Sequence, residues 1–242
     1  MSTNKKTITV SGVEVDVIRK SIKNLHLSVC PPDGKVKLSS PERFDDDRLR
    51  LAIISRLPWI RKRQEEFRKQ PRQSERVYVD GESHFFRGNR YILKLEEVRG
   101  KSGVTHCNNA VLRMNVKKNT SIQRRADLLA EWYRQYLKIE VAKLLERWQP
   151  IVGRQPDGWK IQKMKTKWGS CNTNTKSILI NLELAKKSPE CLEYIVVHEL
   201  VHLHERRHND RFRCLMDEFL PTWRSARDKL KSEPLAHEDW EY

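Results

Sequence analysis

Apolar and polar residues alternate through much of the first half of the chain and recur at three- and four-residue steps through most of the second. This pattern predicts sheet first and helix later. Residues 7–10 and 13–18 alternate around Ser11-Gly12, a two-residue turn that favours a hairpin. Leu25, Leu27 and Val29 alternate before Pro31-Pro32-Asp33-Gly34, which turns the chain back into Val36 and Leu38. Asp45, Asp46 and Asp47 precede Leu49, Ile53, Ile54 and Leu57, placing acids at the positive end of an amphipathic helix that Pro58 kinks or splits. Turns at Asp80-Gly81, Gly88-Asn89 and Asn108-Asn109 return residues 77–79, 91–95 and 111–114 to β structure. From Asn119 the period changes. Ile122, Ala126, Leu129, Tyr133, Leu137, Val141, Leu144 and Trp148 mark one long helix, ended by Pro150. Residues 178–184 read as a strand. Ser188 and Pro189 then open a helix with an apolar stripe at Leu192, Val196, Leu200 and Leu203. No internal repeat is legible, and the acidic tail from Glu233 carries no clear element. The expected class is α+β, with a β-rich region over 1–118, a helical insertion near 45–70, and a second domain over 119–242 that can pack with the first as one unit.

Composition sharpens this picture in three ways. Hydrophobic residues make up 38% and charged residues 33% of the 242, a wet composition, yet seven Trp and many Leu, Ile and Val argue for a folded core rather than disorder. The formal charge of +16 attracts polyanions, and it is uneven: residues 1–120 hold 26 basic and 14 acidic side chains, the remainder 22 and 18. Arg61, Lys62, Arg63, Arg68, Lys69, Arg72 and Arg76, with Trp59 and Phe67 among them, are therefore a candidate surface for DNA or RNA, or else a solvated helix face. Finally, five cysteines with no C-x-x-C pair suit free thiols in a reducing compartment, and no apolar run reaches the ~18 residues of a membrane span. A cytoplasmic protein without a membrane segment is expected; the oligomeric state is not legible.

Chemistry concentrates in one stretch. Four of eight histidines fall within His198-Glu199-Leu200-Val201-His202-Leu203-His204-Glu205-Arg206-Arg207-His208, which contains H-E-x-x-H and a further His six residues on. On a helix, His198 and His202 project about 40° apart and one turn apart in height, so two imidazoles converge on one ion. Zn²⁺ suits nitrogen ligands, and Glu199, about 100° round from His198, can take a proton from water without being a ligand. A straight helix would carry His208 about 15 Å from His198, too far to share an ion. A turn near Arg206, with Asn209 or Asp210 capping a following helix through Phe212, Leu215, Met216 and Phe219, would bring it back. If His208 points away, Glu205 is the competing third ligand. His204 faces elsewhere and reads as a surface or supporting residue.

Upstream, Lys160, Lys163, Lys165 and Lys167 lead into Trp168-Gly169-Ser170-Cys171. Lys163, Lys165, Lys167, Arg206 and Arg207 are candidate anion-binding residues, or merely a solvated face. The strand at 178–184 could offer a free edge to an extended peptide. Trp168, Ser170, Asn181, Tyr194, His204 and Glu205 are candidates for touching substrate or supporting the ligands, with His204, Asn181 and Tyr194 left open as proton or oxyanion donor. Cys171 reads as a structural thiol.

The runs 168–171, 181–184 and 194–203, followed by His208 and Phe212, resemble the YgjP-like metallopeptidase family, relatives of the SprT-like zincins. The resemblance implies a zincin-like catalytic core with zinc on His198, His202 and His208, Glu199 as general base, and a fused N-terminal β-rich region. The histidine spacing also equals that of metzincins, but Glu205 stands where they have Gly and no Met-turn is evident. That reading is rejected. SprT-like relatives cleave proteins on DNA, while YgjP-like proteins are also described as UTP pyrophosphatases. The resemblance thus implies a zinc peptidase acting on a peptide or protein, with a nucleoside triphosphate pyrophosphatase and a DNA-associated protease as alternatives. A Gly-rich phosphate loop and a Mg²⁺-type carboxylate cluster are both missing from the sequence.

Overall fold

A computed structural model describes residues 5–30, 34–69, 76–107, 110–164 and 167–233. Several expectations lie outside them: Pro31-Pro32-Asp33, Asn108-Asn109, Lys165, Arg72 and the tail beyond Glu233. The side chains of Phe67 and Lys69 lie outside as well. The chain divides into two compact units between Arg72 and Gln73, earlier than the junction expected at 118/119.

In the first unit, β1 (Lys5–Val10), β2 (Val13–Lys20), β3 (His26–Cys30) and β4 (Lys35–Pro41) form a sheet in the order β1-β2-β4-β3. The outer pairs are antiparallel and β2 runs parallel to β4. Ser11 and Gly12 both take positive φ, the geometry a two-residue hairpin requires. Alternation puts Val13, Val15 and Val17 beside Val36 and Leu38 on one buried face, against Leu49 and Ile53 of α1 (Asp46–Ile54) and Ile60 of α2 (Leu57–Lys69). Asp45 caps α1 by accepting from the Arg48 amide at 2.8 Å. Pro58 sits in the first turn of α2, so the helix is split before it rather than kinked. The basic face of α2 is in part neutralised along the helix: Arg63 pairs with Glu66 at 2.7 Å, and Arg68 lies 3.7 Å from Glu65.

The second unit opens with another four-stranded sheet: β5 (Ser83–Phe86), β6 (Asn89–Glu97), β7 (Gly103–Cys107) and β8 (Val111–Val116), in the order β5-β6-β8-β7. Its pairing repeats that of the first sheet, a structural repeat the sequence hides. Residues 77–79 are not a strand; Val77 and Val79 are exposed. The sheet belongs here because Phe86, Leu93, Leu112 and Met114 share one core with Leu129, Tyr133, Leu137 and Val141 of α3 (Ile122–Val152). Each such side chain, fully buried, contributes about 1.5–3 kcal/mol. The Tyr133 hydroxyl also donates to the Phe85 carbonyl at 2.7 Å. Pro150 does not end α3, which continues to Val152 and stops at Gly153 in the left-handed conformation.

After α3 come β9 (Gly158–Gln162), β10 (Gly169–Asn172) and β11 (Ser177–Asn181), ordered β10-β11-β9, then a 3-10 helix (Leu182–Lys186). The strand expected over 178–184 therefore ends at Asn181, whose side chain accepts from the Glu183 amide and turns the chain into the 3-10 helix. Because β11 is central, the free edge beside the site belongs to β10. The last elements are α4 (Pro189–Val201), α5 (Asp210–Phe219) and α6 (Trp223–Ser232). No helix among the described residues is long and apolar enough to cross a membrane.

Candidate metal centre

Ser188 and Pro189 begin α4 as expected, but the helix is buried on nearly every face, not only behind the histidines. It packs against α3, α5, α6, β10 and β11, so its position is fixed from all sides. The α-helix ends at Val201, turn hydrogen bonds carry on as far as the Glu205 amide, which donates to the Val201 carbonyl at 3.0 Å, and the chain then bends through residues 206–208 before Asn209 caps α5 by accepting from the Phe212 amide at 3.0 Å. This bend at Arg206, where the turn was expected, brings His208 back. The Nε2 atoms of His198, His202 and His208 lie 2.9–3.2 Å from one another. Phe212 packs on all three imidazoles, with centroids 4.7–4.9 Å away.

This donor set fits a metal ion. Bonds of about 2.0–2.1 Å to a tetrahedral ion place nitrogens about 3.4 Å apart, close to what is found. His202 donates its Nδ1–H to the Glu205 carbonyl at 3.0 Å, which leaves the Nε2 lone pair facing the other two rings. Burial lowers the pKa of His198 to about 3, helped by the charges of His202 and His208, and also lowers those of His202 and His208, so neutral imidazoles are favoured. Three neutral nitrogens meeting in a triangle cannot all be satisfied by their own protons, whereas a central cation satisfies all three.

Glu199 is 4% exposed and burial pushes its carboxyl up to about 8. Its Oε2 has no hydrogen-bond partner, nor does the buried Nδ1 of His198. Space for the carboxylate comes from Gly169. A Cβ there would lie 2.8 Å from Glu199 Cγ, 2.9 Å from Cδ and closer still to Oε1. Gly169 and Phe212 were both legible as residues of the family resemblance, yet neither bears a functional group, so residue chemistry gave no reason to select them.

The remaining candidates separate. Tyr194, one turn before His198, sets its ring edge-on to that imidazole at 5.6 Å and stacks on Trp223; burial raises its hydroxyl to about 12. His204 is drawn away, its ring donating to the Val152 carbonyl at 2.7 Å. Asn181 donates to the carbonyls of Met164 and Lys167 at 3.0 and 2.7 Å, so it holds the segment before β10 rather than facing the histidines. Glu205 accepts from the Arg207 amide at 3.0 Å and is not in the triangle. Strand pleating turns Ser170 to the face opposite Gly169, whereas Cys171 shares the Gly169 face. Burial, then the Glu199 charge, raises the Cys171 thiol to about 11, which suits an unreactive structural thiol. Trp168 lies under the Lys187 ammonium at 5.3 Å. Lys163, Lys167, Arg206 and Arg207 are exposed. A separate cavity of about 620 Å³, lined by Phe86, Tyr91, His106, Trp132 and Tyr136, opens beside Pro189 and contains none of the histidines of the triangle.

A mixed α+β protein with three imidazoles converging on one position defines a candidate metal-binding protein. The YgjP-like family, metallopeptidase domain, matches residues 23–233, and the chain belongs to that family. Among solved structures, the metallopeptidase zymogen of Pyrococcus abyssi abylysin is similar at 23% identity, over 37% of this chain and 90% of that one, with a TM-score of 0.35. No curated protein matches the chain.

Proposed function

We propose that the chain is a zinc-dependent peptidase in which His198, His202 and His208 hold the ion and Glu199 is the general base. The observation that carries this reading is the convergence of three Nε2 atoms within 3.2 Å beside a buried carboxylate whose Oε2 is unpartnered. When bound, zinc supplies Lewis acidity that lowers the pKa of water toward 7 and polarises a peptide carbonyl. Glu199 Oε2 accepts a proton from the attacking water and returns it to the leaving amine nitrogen. A dication held by the imidazoles would favour ionised Glu199 and oppose the effect of burial, as a general base needs. The free edge of β10 offers backbone groups to an extended peptide, aligning it across the Gly169 face. With Asn181 and His204 committed elsewhere, Tyr194 is the remaining candidate to donate to the developing oxyanion. Glu199→Gln is expected to retain bound zinc and lose turnover on unfolded protein; equal turnover by the two proteins would refute the assignment. A nucleoside triphosphate pyrophosphatase would use the same cations at the rim. Pyrophosphate release abolished by His202→Ala, without peptide cleavage, would replace the peptidase reading.

A further inference from the structure

From Gly158 to Leu182 the chain contains five lysines and no Asp, Glu or Arg. That span covers β9, β10 and β11, the sheet whose free edge borders the histidines. Lys167 stands, exposed, two residues before Gly169, the residue whose Cβ position meets Glu199. Its backbone is fixed, because the buried Asn181 donates to its carbonyl at 2.7 Å. Its ammonium is near enough to act electrostatically on both Glu199 and His202. Arg206, also exposed, lies in the turn between His202 and His208. Besides Glu199, the carboxylates in the flanking sequence have partners of their own: Asp210 pairs with Arg213 at 2.8 Å, Glu183 with Lys186 at 2.6 Å, and Glu205 accepts from the Arg207 amide. Among the described residues, neither Lys167 nor Arg206 has an ion pair. A cation beside a reaction centre with no carboxylate at ion-pair distance is poised to receive one from the substrate.

We infer that Lys167 is a specificity-determining residue that selects peptides with an acidic side chain close to the bond placed over the histidines. The inference rests on the peptidase reading for its meaning, but its binding test does not depend on turnover. The full chain, metal-free, is titrated with fluorescent decapeptides, acetylated and amidated so that no terminal carboxylate competes. Each carries one Glu, Gln or Lys walked through successive positions. The expected result is tighter binding of the Glu peptide than of its Gln counterpart at one or two adjacent positions, by about threefold to fivefold, the range of a partly exposed charge pair. The preference weakens from 50 mM to 300 mM salt as screening grows. Lys167→Met removes it, and Lys167→Glu turns it toward the Lys peptide, an inversion that a merely structural role would not produce. With metal added, the same preference appears in kcat/KM. Equal binding of the three series by wild type, binding of none of them, or a Glu preference unchanged in Lys167→Glu would overturn the inference. Acid-selective binding through Lys167 with no cleavage by the loaded chain would retain this site and remove the peptidase reading instead.

Discussion

Replacing Gly169 with Ala tests how the site is built. The substitution adds one methyl group on an edge strand, and the backbone there is not in the left-handed region, so Ala adopts it without strain. By itself this change stabilises by about 0.4–1 kcal/mol through the unfolded chain. Against that gain, the new Cβ would stand 2.8 and 2.9 Å from Glu199 Cγ and Cδ, where ordinary contacts begin near 3.4 Å. The side chain must yield by half an ångström or more, and α4 is packed on nearly every side. Overpacking of this kind costs about 1–3 kcal/mol, so a net loss of about 1–2 kcal/mol is expected in urea unfolding. Turnover should fall further, because displacing a reacting group by about 1 Å costs on the order of 100-fold. A double-mutant cycle isolates the contact: Glu199→Asp, shorter by one methylene, should recover the stability lost in Gly169→Ala. Wild-type stability and turnover in Gly169→Ala, or a loss that Glu199→Asp does not relieve, would refute the reasoning.

Four further outcomes are expected. Asn181→Ala strips partners from Met164, Lys167 and Glu183 in a fully buried position and should cost about 2–4 kcal/mol by urea unfolding. Tyr133→Phe leaves the Phe85 carbonyl without its donor and should cost about 1–2 kcal/mol, read as a lower urea midpoint at constant slope. His84 is buried, and burial lowers its pKa to about 4 despite Glu82 at 2.9 Å. The unfolded chain therefore binds the extra proton between pH 4 and 6.5, so stability should rise with pH across that window by on the order of 2–3 kcal/mol, a slope that His84→Gln should flatten. Adding zinc at a thousandfold excess over its Kd should raise the unfolding free energy by about 4 kcal/mol, and His208→Ala should reduce this gain sharply.

Much of the site was legible because it is local. His198, Glu199 and His202 fall within five residues of a helix, where 3.6 residues per turn fix their relative directions. The return of His208 was legible as a necessity, since a straight helix could not bring it to the pair, and Asn209 supplied the cap that makes the break stable. Asn181 and His204 were less legible. An amide or imidazole reads as potential chemistry until its partners are known, and here those partners are backbone carbonyls of other segments.

The sequence by itself determined most element types, the hairpin at Ser11-Gly12, the acid-led helix start at Asp45, the cap at Asn209, and the residues able to bind a metal, because periodicity, turn chemistry and ligand spacing act over a few residues. Tertiary structure decided what depends on partners distant in the chain. The sheet of residues 83–116 joined α3, moving the boundary to 72/73, because burying Phe86, Leu112 and Met114 against Tyr133 and Leu137 outweighs nearness in sequence. Order within the sheet made β11 central and β10 the edge, a choice set by which strands find hydrogen-bonding partners. The missing side chain at Gly169 acquired its meaning only when α4 brought Glu199 against it.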